Sequence, residues 1–367
     1  MSEGALRVRQ WVSLPGGSCD VRIGTGVIDE AASVLKGAVG KPRAALMAVE
    51  DGVDAPLVER LRRQLTDAGF AVEQTVVPGG APARTVESLA KLLGALGDAA
   101  ITADDLVLVI GGTDALSLAS CACAQWCGGM PLVMVPTGMG ALVEAPVTPR
   151  GLDVGPREGV ISCRPSVKHV LFDVDDCLEA EANESVMMAR VLMVVTAMCD
   201  SEPAVSRLWD RTDEICAFDG EALCEQLKDT IKLRGKIVSS TALATRQSLA
   251  YGEAFARALR RVVGPELKPS TARAEALRFQ ARLAAGEEQF AVDDVLAQDE
   301  LLERLELPMA HAQVDPDELV AAVRAERFMR SNRFLLGMPR KLGRVRLASV
   351  TDELIAEHVA AWCASRA

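Results

Sequence analysis

The chain is short of histidine, of aromatic side chains and of positive charge. Three histidines, His169, His311 and His358, are spread over 367 residues, so a site built from several imidazoles has few places to form. Aromatics make up 4% and the formal net charge is -11 with a pI near 5.0. Nucleic-acid surfaces need basic stripes and stacking platforms, and this composition excludes them. No uninterrupted apolar run nears the about 20 residues of a membrane span, and residues 1 to 15 lack a basic-then-apolar leader. A soluble, cytoplasmic protein with a small-molecule ligand is expected. Repeats and low-complexity tracts are also missing.

Cysteine is plentiful, at ten residues. Scattered through apolar segments without a leader, these read as reduced thiols packed as small hydrophobes. Cys121, Cys123 and Cys127 form the one cluster, with Cys123 and Cys127 on one helix face. Two thiolates do not complete a zinc site.

A chain of this length suggests two domains. From Ala44 to Phe172, short apolar runs (AALMAV, FAVEQTVV, LVLVI, PLVMVP) alternate with amphipathic stretches (APLVERLRRQLTDAG, SLAKLLGALG). That alternation predicts strands and crossover helices of a mostly parallel sheet, an α/β, Rossmann-like nucleotide-binding domain over residues 1–174. After HVLFD the β character stops near Val174, and residues 175–367 read as an all-helical domain. Its first helix, ESVMMARVLMVVTAMC, is apolar nearly all round and so buried. RQSLAYGEAFARALRRVV, STARAEALRFQARLAA, PDELVAAVRAERFM and TDELIAEHVAAWC follow at helical spacing.

LVLVIGGTDALSLAS carries a strand through Gly111, Gly112 and Thr113 into a helix. Glycines there permit close backbone approach, and helix amino termini favour anions. A tight turn with no ligand would use the same residues. VMVPTGMGALVEAPV takes the next strand into a second turn at Thr137, and Asp51, just past a third strand, stands where a ribose-hydroxyl acceptor or a simple turn residue would.

The order GTGVIDEAASVL, EDGVDAPLVERL, VVPGGAPARTVESLAKL, VLVIGGTDALSLAS, VPTGMGALVEAPV and TRQSLAYGEAFARAL resembles the dehydroquinate synthase-like sugar phosphate cyclases over roughly residues 10 to 350. The resemblance implies a nucleotide-binding domain followed by a helical one, bound NAD as transient oxidant, a zinc ion held by one Glu and two His, a phosphate-bearing substrate between the domains, and a homodimer. Asp51, Arg84, Gly111, Gly112, Thr113 and Thr137 are the cofactor-binding residues it implies.

The resemblance fails at the metal. The position of the zinc glutamate falls at or near Val191, that of the first histidine at Glu253 in Ala250-Tyr251-Gly252-Glu253, and that of the second near Thr271. One oxygen donor does not make a zinc site, so no zinc is expected. Glu144 stands for a family aspartate and Arg150 for a family lysine; with Glu253 they are the candidate catalytic residues. Arg234 (or Lys232), Arg246 and Arg327 keep cationic character at family positions, and with Arg257 are expected to bind the anionic substrate. On one continuous helix, Arg246, Glu253 and Arg257 would share a face, and Glu253 with Arg257 could equally form a simple i, i+4 pair. Two functions fit: a metal-independent lyase or cyclase of specialised metabolism, or an inactive homologue serving as a binding or partner subunit.

Overall fold

The computed structural model describes residues 6–15, 17–155, 157–162, 167–330 and 335–366, the side chains at 327–330 excepted. The chain forms two compact units, Met1–Glu181 with Leu223–Ser239, and Ala182–Ala222 with Ser240–Ala367. The first unit thus runs past Val174 and takes in a later helical stretch. Gly235 is one reason that stretch packs there: a Cβ on it would lie 2.3 Å from Val12 Cγ1 and 2.8 Å from the Ser13 carbonyl, so only glycine permits this approach.

In chain order the first unit holds β1 (Arg7–Leu14), β2 (Gly17–Gly24), α1 (Ala31–Ala38), β3 (Ala44–Glu50), α2 (Ala55–Asp67), β4 (Ala71–Val77), α3 (Val86–Asp98), β5 (Leu106–Gly111), α4 (Thr113–Gln125), β6 (Leu132–Pro136), α5 (Met139–Glu144), β7 (Leu152–Val154), β8 (Arg157–Ile161), β9 (Val167–Asp173) and α6 (Val174–Cys177). Seven strands form one sheet in the order β1-β2-β9-β6-β5-β3-β4, and β7 pairs with β8 apart from it. Only β1 with β2 is antiparallel in that sheet. Every residue of β5 and β6 is buried, which is why these strands read as unbroken apolar runs rather than alternating ones. Helix α2 turns Leu57, Leu61 and Leu65 inward, and Thr85 caps α3 by accepting from the Ser88 N–H at 3.1 Å. From β3 the chain winds outward to β4, then returns to β5 on the other side of β3. The strand ends of β3 and β5 therefore flank a topological switch point.

The second unit contains α7 (Glu184–Asp200), α8 (Glu202–Asp210), α9 (Thr212–Cys216), the start of α10 (Gly220–Val238), α11 (Leu243–Gln247), α12 (Glu253–Val263), α13 (Pro269–Gly286), α14 (Val292–Arg304), α15 (Pro316–Arg330), β10 (Leu336–Lys341), β11 (Arg344–Ala348) and α16 (Asp352–Arg366). Helix α7 is buried without interruption from Ala189 to Cys199. Phe255 stacks on Phe279 with centroids 3.8 Å apart, and Trp362 meets Phe255 edge-on at 5.7 Å, the second a geometry that aromatic quadrupoles favour. The helical character expected of this part is observed, with one addition, the β10–β11 hairpin. Its strands hold a proline and several basic residues and are irregular between Pro339 and Lys341, so they carry no clear apolar alternation.

Among the described residues no helix is long and apolar enough to cross a membrane. Cys123 is a buried free thiol and Cys127 an exposed one, whereas Cys121, expected reduced, is disulfide-bonded. His169 lies in β9 with Nδ1 3.5 Å from Asp20. Burial lowers its pKa, consistent with a structural strand residue.

Candidate functional site

Three turns of the first unit meet at the carboxyl ends of the central strands. Gly111 closes β5, Gly112 stands at the amino cap of α4 and Thr113 begins that helix. The Thr137 N–H donates to the Gly111 carbonyl at 3.0 Å, which ties the turn after β6 to the one after β5. Asp51 is exposed just past β3, and its N–H donates to the Val77 carbonyl at 2.9 Å.

The neighbouring residue, Glu50, was not singled out from sequence, yet its side chain folds back onto the glycine turn. Its Oε2 accepts from the Gly112 N–H at 2.5 Å. Burial raises the Glu50 pKa and nearby Asp114 adds to the rise, against the pull of the Gly112 N–H. An N–H that a dinucleotide pyrophosphate would use is already taken by a carboxylate. As it stands, this turn does not fit that group.

Beyond the turn, arginines and carboxylates alternate. Arg150 donates to Glu144 from Nε at 3.1 Å and from Nη2 at 2.7 Å, and to Asp114 from Nη1 at 3.2 Å. Arg84 reaches the other oxygen of Asp114 at 3.2 Å and Asp153 at 3.0 Å. Burial works to lower the pKa of Arg150, but Glu144 and Asp114 outweigh it and hold the guanidinium charged; for Arg84, Asp114 and Asp153 do the same. The Arg150 N–H donates to Ser117 Oγ at 3.0 Å, so this hydroxyl supports the loop. Arg234 is buried, with Nη2 2.5 Å from Thr148 Oγ1, whereas Lys232, its alternative, is exposed. Glu144 and Arg150 are therefore brought together, as partners of each other. Asp114 and Asp153 were missed; an acid in the first turn of α4 was the only available signal for Asp114.

In the second unit the expected continuous helix is not formed. Helix α11 ends at Gln247, a 3₁₀ turn covers Ser248–Ala250, and Gly252 adopts φ +81° before α12 begins at Glu253. The shared face of Arg246 with Glu253 and Arg257 is lost for that reason. The break is fixed from both sides: Tyr251 Oη donates to Gln298 Oε1 at 2.8 Å, and the Gly252 N–H donates to Gln280 Oε1 at 2.5 Å. Arg246 is exposed and donates to the Ser240 carbonyl at 2.7 Å. Glu253 and Arg257 do meet, at 2.6 Å. Arg327 lies in α15, with its side chain outside the described residues.

A family model for the N-terminal part of 3-dehydroquinate synthase matches residues 74–179. A 3-dehydroquinate synthase of Corynebacterium diphtheriae is 25% identical over 305 residues, 81% of this chain and 84% of that protein. Among solved structures, 2-deoxy-scyllo-inosose synthase complexed with carbaglucose-6-phosphate, NAD+ and Co2+ superposes with a TM-score of 0.84 at 14% identity, covering 96% of this chain and 99% of its own. The 2-epi-5-epi-valiolone synthase of Streptomyces hygroscopicus subsp. jinggangensis, with NAD+ and Zn2+ bound, gives 0.81 at 16% identity, with 97% and 99% covered. In sequence and in fold the chain is similar to the dehydroquinate synthase-like sugar phosphate cyclases.

The positions that the resemblance implies for zinc can be read directly. Val191 is aliphatic and fully buried in α7. Glu253 is engaged by Arg257, and Thr271 offers a hydroxyl. Arg273, two residues on, donates to the Leu249 carbonyl at 2.9 Å and so lies against the Gly252 break. Among the described residues no group of three or more His, Cys, Asp or Glu is arranged to hold a metal ion. The donors at these positions do not fit zinc, which takes nitrogen, thiolate or carboxylate ligands, three of them in a catalytic site.

Proposed function

We propose that this sugar phosphate cyclase homologue binds a small anionic, phosphate-bearing ligand and carries out a lyase or cyclisation step of specialised metabolism without a divalent metal. The observation that carries this reading is the donor set: buried Val191, hydroxylic Thr271, and Glu253 held 2.6 Å from Arg257. Activation by zinc needs three protein ligands and an open position. Anion binding is assigned to Arg234, Arg246, Arg257 and Arg327, since guanidinium forks suit phosphate and carboxylate.

Glu253 and Glu144 are the proposed bases. Each is paired with an arginine, and such a partner favours the charged carboxylate and weakens it as a base. An anionic ligand that draws Arg257 or Arg150 to itself would release the carboxylate next to the bound molecule, coupling binding to basicity. The test is calorimetric titration with carbaglucose-6-phosphate, in chelator and then with added Zn2+ or Co2+. Equal binding in both is expected, with Arg234→Met weakening it about tenfold, the scale of one lost charge-assisted contact. Binding that appears only with metal would contradict the proposal.

A second reading, an inactive homologue kept as a binding or partner subunit, is favoured by one observation: both candidate bases are already engaged by arginines. Stable copurification with another protein, and no turnover of any sugar phosphate, would select it. A homodimer is part of the first reading and is checked by sedimentation.

A further inference from the structure

The turn at Gly111–Thr113 lies at the switch point of the sheet, where a helix amino terminus ordinarily receives an anion. Its N–H groups lack intrahelical partners, and the helix dipole favours negative charge. In this chain the partner for one of those N–H groups, that of Gly112, and the negative charge are both supplied from within. Glu50 Oε2 accepts from the Gly112 N–H at 2.5 Å. A Cβ on Gly111 would lie 2.4 Å from that oxygen, and one on Gly79 would lie 1.8 Å from Glu50 Oε1. The carboxylate is thus packed between the loops that follow β4 and β5, in space that two glycines leave clear. Asp114, in the first turn of α4, supplies a second negative charge, which Arg84 and Arg150 hold in place.

The cavity beside this turn is acidic as well. It measures about 410 Å³, and Glu50, Asp51 and Glu59 are among its lining residues. Its one arginine, Arg62, donates to Gln74 and lies 3.9 Å from Glu59.

We infer that Glu50 is a resident carboxylate occupying the anion position of the glycine turn, with Asp114 completing the compensation of α4, so that the turn excludes a dinucleotide pyrophosphate while Glu50 remains there. A pyrophosphate diester would bring one negative charge per phosphate against the Glu50 carboxylate and would compete with it for the Gly112 N–H, and like charges brought together at a binding site are strongly unfavourable. The inference rests on these contacts and not on the proposed reaction. Metal content and carbaglucose-6-phosphate binding can fail without touching it.

The test is NAD+ binding to the full chain, by calorimetry and native mass spectrometry at about neutral pH, for the parent, Glu50→Gln and Glu50→Ala. The parent is expected to show no saturable binding at about 1 mM NAD+, and Glu50→Ala to bind at least about tenfold more tightly. Glu50→Gln, which loses the charge but keeps an acceptor for the Gly112 N–H, should fall between them. Circular dichroism checks the fold; should the Ala variant fail to fold, the Gln variant carries the test through its own gain over the parent. Stoichiometric NAD+ on the purified parent, affinities within about twofold across the series, or no binding by any folded variant would each overturn the inference.

Discussion

Replacing Arg150 by Ala removes three hydrogen bonds to two carboxylates, two of them a fork onto Glu144 and one to Asp114. The side chains of Arg150, Glu144 and Asp114 are 29%, 16% and 10% exposed. Removing one member of a fully buried pair costs about 3–5 kcal/mol, and an exposed pair contributes about 0.2–1 kcal/mol. Arg150 lies between these limits and Asp114 keeps Arg84, so a loss of about 2–3 kcal/mol is expected. For a unit of this size that lowers the unfolding midpoint by roughly 4–12 °C. Thermal melts followed by circular dichroism, with urea titration for the free energy, measure it. Arg150→Lys should lose about half as much, since an ammonium keeps the charge without the fork. An Arg150→Ala variant within about 0.5 kcal/mol of the parent, the range of ordinary surface substitutions, would refute a shielded, mutually dependent cluster.

Other consequences follow from single contacts. Gly343→Ala would add strain at φ +75° and bring a Cβ 2.0 Å from the Ser201 carbonyl carbon; a loss of about 2–4 kcal/mol is expected in urea unfolding. Glu275 is buried and accepts from the Ala310 N–H at 3.1 Å, Trp362 Nε1 at 2.8 Å and Arg366 Nε at 2.8 Å. Glu275→Ala should cost about 3–5 kcal/mol and shift the Trp362 fluorescence. Burial and Asp114 raise the folded Glu50 pKa, so its contribution favours the folded state at low pH and is lost as pH rises through that folded value. Glu50→Gln should therefore be more stable than the parent at neutral pH, and the advantage should vanish below the unfolded glutamate value of about 4.3; an advantage confined to acid would contradict the assigned shift.

The parallel sheet was legible because its strands and helices carry their own periodicity. LVLVI and LVMV are apolar on both faces, and α2 repeats leucine at helical spacing. The turns at Gly111 and Thr137 were legible for the same local reason. What local pattern does not encode is which side chain folds back onto which loop. Glu50 stands beside Asp51 in sequence, yet it reaches Gly112 because β3 and β5 are neighbours across the switch point. The break at Gly252 was hidden because Tyr251 and Gly252 are fixed by Gln298 and Gln280, contacts that exist only once α13 and α14 are packed. The pairing of Glu253 with Arg257 was visible as spacing; whether the two would meet depended on the rotamers that α12 adopts.

The most direct test of the account is the metal content of freshly purified protein, measured by native mass spectrometry together with elemental analysis. The donor set predicts no stoichiometric divalent ion, and carbaglucose-6-phosphate binding that does not change on chelation. One tightly held zinc or cobalt per chain, lost together with ligand binding when chelated, would contradict it.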